Sequence, residues 1–143
     1  AGARSAAAQN FLIEKGYNVV NLEGGMSSWK MSQLPVEGNT NAVQMRVVDF
    51  DKVVASNKMV LVDIGASWCP PCRKMQPIVD QIRKEQGNKI YFLAVDGGVD
   101  MDVMKHVQFE SLPTYIIYQN GKEIWRKSGI VAEDEFQKVF AAK

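Results

Sequence analysis

The chain is poor in cysteine and nearly devoid of histidine, with two Cys and one His in 143 residues. Two cysteines cannot build the multi-bridge framework of small secreted domains. They also fall short of a four-ligand zinc site, because the one further soft ligand, His106, is distant in sequence and reads as a surface helix residue. No metal is therefore expected unless a second chain supplies ligands. Charge imbalance is missing too: 17 Lys and Arg face 16 Asp and Glu, for a net charge of +1. No basic stripe appears, which argues against nucleic acid as a partner. No apolar run is long enough to span a bilayer, so no membrane insertion is expected. A signal-peptide pattern is absent, and the chain opens on Ala1 rather than Met, as a piece cut from a longer protein would. The expectation is a soluble chain, cytoplasmic or periplasmic.

Apolar residues are plentiful, at 46% hydrophobic against 23% charged. That suffices for one domain with a core, or a small domain plus a fragment. Residues 3–15 read as a helix with Ala7, Phe11 and Leu12 on one stripe, 17–22 as a short strand, and 26–31 as a short helix. A turn-rich stretch containing Pro35, Gly38 and Asn39 places a domain boundary, with a fragment at 1–36, a linker at 37–42 and a domain at 43–143. The fragment is too short to bury a core of its own.

Beyond the linker, strand and helix patterns alternate. Strands are expected at 43–48, 59–66, 89–95, 114–119 and 123–127, the last two joined by a hairpin at Asn120-Gly121. Helices are expected at 49–56, 71–86, 100–107 and 133–142. The run at 59–66 is almost wholly apolar, the mark of a central strand covered on both faces. Met75, Ile78, Val79 and Ile82 give the 71–86 helix one apolar stripe. The order predicts an α/β fold, a mixed sheet with helices on both faces.

Both cysteines sit in Trp68-Cys69-Pro70-Pro71-Cys72, between the central strand and the following helix. The unpaired N–H groups and dipole of that helix would favour a Cys69 thiolate. Pro70 and Pro71 suit a first helical turn and leave Cys72 N–H as the nearest backbone donor to Cys69. Cys72 lies a turn deeper and is expected to be less exposed. Such a pair can exchange with a disulfide, Cys69 attacking and Cys72 resolving. Asp63 interrupts the apolar run Val60-Leu61-Val62-Asp63-Ile64. It reads either as a functional carboxyl with a raised pKa or as a hydrogen-bonded or edge residue. Pro113, before the 114–119 strand, reads as a trans strand-start or as a cis proline in a tight turn.

From about Val43 onward the chain resembles the thioredoxin family. The carriers are Leu61-Val62-Asp63, Ala66 to Cys72, Pro77, Leu112-Pro113-Thr114, Asn120-Gly121-Lys122 and Gly129. The resemblance implies a thioredoxin fold and a protein-disulfide oxidoreductase without a bound cofactor, working through a redox-active Cys69–Cys72 disulfide. It implies Cys69 as nucleophile, Cys72 as resolving thiol and Asp63 as proton acceptor, with Pro113 cis. It implies a substrate surface from Trp68, Pro70, Leu112, Pro113, Gly129 and Ile130. Partners would be protein disulfides and an upstream donor, either a thioredoxin reductase or a membrane electron donor. Three positions depart from the family pattern: Pro70 where Gly is commonest, Gly65 in place of an aromatic residue, and Phe92 where many members carry Lys.

Residues 1–36 resemble the end of a rhodanese-like domain through Gly2-Ala3-Arg4-Ser5, Asn21 to Gly25, Trp29 and Leu34-Pro35-Val36. That implies an α-β-α fragment whose family's persulfide Cys would precede Gly2. A sulfur relay to Cys69, or a non-catalytic metal or binding module, are the alternative functions.

Overall fold

A computed structural model describes residues 3–32, 34 and 42–141. The chain divides into two compact units, Ala1–Ala42 and Val43–Lys143. In the first, α1 spans Ala3–Glu14 and α2 spans Gly25–Met31. Gly16 ends α1 with a positive φ of 83°, and its N–H donates to the Ile13 carbonyl. The strand expected at 17–22 does not form; that backbone is irregular. A lone extended segment has no ladder partner for its N–H and C=O groups, so its alternating pattern finds nothing to pair with. The expected α1 stripe is also not buried: Ala7 is exposed, Phe11 is 59% exposed and Leu12 half-buried.

In the second unit, α3 (Val47–Ser56), β1 (Met59–Gly65), α4 (Pro70–Gln86), β2 (Tyr91–Asp96), α5 (Met101–His106), β3 (Thr114–Gln119), β4 (Lys122–Ser128) and α6 (Glu133–Ala141) follow one another. The strands form one sheet in the order β2-β1-β3-β4. β1 is central, parallel to β2 with Val62 opposite Leu93 and antiparallel to β3 with Val62 opposite Ile116. The β3–β4 pair is antiparallel and turns at Asn120-Gly121, both with positive φ, as a two-residue hairpin loop demands.

No strand forms at 43–48 among the described residues. Residues 42–46 are irregular and α3 begins at Val47. The Met45 N–H, which a strand would spend on a ladder, donates instead to the Asp100 carboxylate at 2.7 Å. The Arg46–Asp49 ion pair spans the start of the helix.

Period-two alternation on β1 divides the core. Leu61 faces Met75, Val79 and Ile82 of α4, Tyr115 and Ile117 of β3, and Phe136 of α6. Tyr115 meets Phe136 edge-on at 5.3 Å, a favoured aromatic geometry. Val60, Val62 and Ile64 lie on the other face, the side of α3 and α5, and are fully buried. Removing each such side chain from water is worth about 1.5–3 kcal/mol. The core thus fixes both faces of β1, and with them the end of the strand from which the cysteine loop departs.

Candidate functional site

β1 stops at Gly65, whose carbonyl accepts the Gly97 N–H at 2.7 Å. The chain turns through Ala66, Ser67 and Trp68, and the Cys69 N–H closes that turn on the Ala66 carbonyl at 3.0 Å. Cys69 has extended backbone and is the N-cap of α4, with Pro70 and Pro71 opening the helix. Neither proline has an N–H, so the Cys72 N–H is the donor that reaches the Cys69 Sγ, at 3.3 Å. The two cysteines form a disulfide with Cα atoms 5.3 Å apart. Negative charge developing on Cys69 Sγ would thus meet a backbone donor and the positive end of a 17-residue helix.

The two cysteine residues are not exposed in the expected order. Cys69 is buried, at 3% exposure, whereas Cys72 is half-buried. Gly65 and Cys72 line the same cleft. A Cβ built at Gly65 would stand 3.7 Å from Asp63 Oδ1, 3.7 Å from Cys72 Cβ and 3.8 Å from Cys72 Sγ, in ordinary contact. The absent side chain leaves open the space between the Asp63 carboxylate and Cys72. That space belongs to the cleft, of about 560 Å³ and lined also by Ser67, Arg73, Gln76, Ala94, Asp96 and Asp100. Depth in the helix alone predicts a hidden Cys72; the opening comes from a residue of β1. The available signal is Gly65 itself, one of the three departures from the family pattern that the resemblance marks.

Asp63 stands on the α4 face of β1, opposite Ala94 of β2. Burial pushes its pKa up to about 6. Arg83 opposes that rise and Asp80 adds to it. The Arg83 guanidinium lies 5.2 Å from the centre of the Phe92 ring, a cation–π contact. Phe92 itself packs against the core, so no lysine reaches the carboxylate from that position.

The remaining predicted site residues gather at the same end of the sheet. The Leu112–Pro113 peptide bond is cis, and Pro113 is buried next to Thr114, which pairs with Ile64. The Pro113 carbonyl accepts the Gly129 N–H at 2.8 Å, with Gly129 at a φ of 86°. Trp68 and Ile130 are 56% and 59% exposed, and Pro70 is exposed, while Leu112 and Gly129 are half-buried. Two residues that sequence reading missed support this rim. A Cβ on Gly97 would stand 2.8 Å from the Leu112 side chain, and one on Gly98 would stand 3.3 Å from the Trp68 ring nitrogen. The signal was the glycine pair just past the end of β2.

Among the described residues, no cluster of three or more His, Cys, Asp or Glu side chains is placed to hold a metal ion. His106 is exposed and bonds through Nε2 to Asp51 Oδ1 at 2.8 Å. No helix of the described residues is long and apolar enough to cross a membrane.

A sequence model of the thioredoxin family matches residues 41–142. The chain is 37% identical over 87 residues to the chloroplastic thioredoxin Y of Oryza sativa subsp. japonica, covering 60% of this chain and 52% of that one. It is 36% identical over 80 residues to the bifunctional thioredoxin reductase/thioredoxin of Mycobacterium leprae, covering 56% of this chain and 18% of that one. The matches thus span about half of the first relative and less of the second. Among solved structures, Fasciola hepatica thioredoxin superposes with a TM-score of 0.58 at 30% identity, covering 64% of this chain and 88% of that one.

Proposed function

This chain belongs to the thioredoxin family, and from that premise we propose that its Cys69–Cys72 pair reduces protein disulfides by dithiol–disulfide exchange. Residues 41–142 form a thioredoxin-like disulfide oxidoreductase domain. The observation that carries the reading is the N-cap position of Cys69. In the disulfide form its Sγ sits at a helix terminus and accepts the Cys72 N–H, an environment that favours the thiolate once the pair is reduced.

The Cys69 thiolate attacks a substrate disulfide, bonds to one sulfur and releases the other as a thiolate. Cys72 then attacks Cys69 Sγ, freeing the substrate and closing the disulfide. Cys72 must lose its proton to do so, and Asp63, across the space beside Gly65, accepts it. Trp68, Pro70 and Ile130 offer the exposed substrate rim, with Leu112, Pro113 and Gly129 beneath it. Reduction of the closed disulfide needs an upstream donor. The Mycobacterium leprae relative, whose name joins a thioredoxin reductase to a thioredoxin, supports a thioredoxin reductase in that role rather than a membrane donor. A sulfur relay from a rhodanese-like partner rests on the resemblance of residues 1–36 alone, and the irregular backbone at 17–22 adds nothing to it.

Replacing Cys69 by Ser should abolish dithiol-dependent reduction of insulin. A Cys69→Ser chain that reduces insulin at the parental rate would refute the assignment.

A further inference from the structure

We propose that the cleft beside Gly65 is a second entrance to the redox disulfide, through which small neutral or cationic thiols attack Cys72 rather than Cys69. The proposal rests on the redox reading of the pair given above and adds a route and a substrate class to it.

Three observations converge. In the disulfide form, Cys72 is the more accessible cysteine and lines the cleft, whereas Cys69 is 3% exposed and does not line it. Gly65 has no backbone reason to be glycine, since its φ lies outside the left-handed region and a Cβ there meets only ordinary contacts. What its missing side chain does is keep the approach to Cys72 open. Finally, the leaving group is already accommodated: Cys69 Sγ accepts the Cys72 N–H at the start of α4, and a better-stabilised thiolate leaves faster.

The step balances. A small thiolate bonds to Cys72 Sγ, the Cys69–Cys72 bond breaks, and its electron pair departs on Cys69 as a thiolate. A second small thiolate attacks the sulfur of the first, giving a small disulfide and the Cys72 thiolate. The protein pair is reduced by two electrons and two small thiols are oxidised. The cleft walls select among such thiols. Three carboxylates line it, Asp63, Asp96 and Asp100, against the one cation Arg73. An anionic thiol is therefore repelled and a cationic one attracted. A cleft of this volume admits a small thiol but not a folded protein, so protein disulfides remain confined to the rim around Trp68.

The test uses the oxidised full chain, mixed with limiting cysteamine, 2-mercaptoethanol or 3-mercaptopropionate and quenched in acid at short times. The freed thiol is alkylated, and fragmentation of the peptide carrying both cysteines locates the adduct. The small thiol is expected on Cys72 and the alkyl group on Cys69. Rates are corrected for thiolate fraction and for reactivity toward a small reference disulfide. Cysteamine should then react several-fold faster than 3-mercaptopropionate. Gly65→Phe should slow all three several-fold. If that variant does not fold, Ala94→Phe narrows the cleft from its exposed far wall. A chain that reduces insulin yet carries the small thiol on Cys69, or reacts equally fast with a narrowed cleft, overturns the second entrance and leaves the reductase reading standing. A chain that reduces no insulin overturns both.

Discussion

Asp63 is costly to keep. A carboxyl in the middle of a buried strand ionises only against desolvation, which raises its folded pKa from 3.8 to about 6. Between those values the folded chain holds a proton that the unfolded chain has lost. Stability therefore falls as pH rises from about 4 to about 6, and the deficit persists above that range. Two pKa units correspond to about 3 kcal/mol. Asp63→Asn removes the charge while keeping the shape. It should raise Tm at pH 8 and lose that advantage toward pH 4, as followed by circular dichroism across the pH range. An advantage equal at both pH values would show that the carboxyl is not desolvated. The same variant should slow resolution by Cys72. In the parent chain that step should accelerate through about pH 6, as Asp63 becomes a base. A carboxyl with a pKa raised to about 6, on the same strand as fully buried Val60, Val62 and Ile64, fits the proton-accepting role proposed for it.

At the scale of elements, the periodic signals were legible and the pairing partners were not. The β3–β4 hairpin could be read because Asn120-Gly121 states its own turn. The stripe of α4 could be read because Met75, Val79 and Ile82 recur at helical spacing. The segments 17–22 and 43–48 carry comparable strand patterns, yet neither forms a strand, because a ladder needs a neighbour that local pattern does not supply. The exposure of Cys72 was hidden for a related reason: Gly65 opens it from another element. Asp100 illustrates how such non-local ties matter. It is 6% exposed, and its two oxygens accept the N–H groups of Met45 and Asp96 at 2.7 and 2.8 Å. One side chain thus joins the approach to α3, the end of β2 and the start of α5. Asp100→Ala would leave two N–H groups without their acceptor, at about 1–3 kcal/mol for each that water does not reach. Urea unfolding should register a loss of about 2 kcal/mol or more. Asp100→Asn, which retains one acceptor oxygen, should lose less. Equal loss in both variants would point to packing rather than to these hydrogen bonds.

At the scale of the whole chain, the two units differ in what holds them. Among the described residues, the buried apolar ones run from Phe50 to Phe136, within Val43–Lys143. Among described side chains of residues 3–34 none is fully buried, and Phe11, Tyr17, Val20 and Met26 are each more than half exposed. Burial of apolar area is the main favourable term in folding, so the stability of the second unit should be its own. A chain starting at Val43 retains Met45 and hence the bond to Asp100. It should unfold in one cooperative transition, with a Tm within a few degrees of the parent, a shift of about 1 kcal/mol or less for a domain of this size. It should also reduce insulin at the parental rate, because every residue assigned to the site lies beyond residue 60. Loss of cooperative melting on removal of residues 1–42 would refute the independence of the second unit, whose buried apolar residues span Phe50 to Phe136.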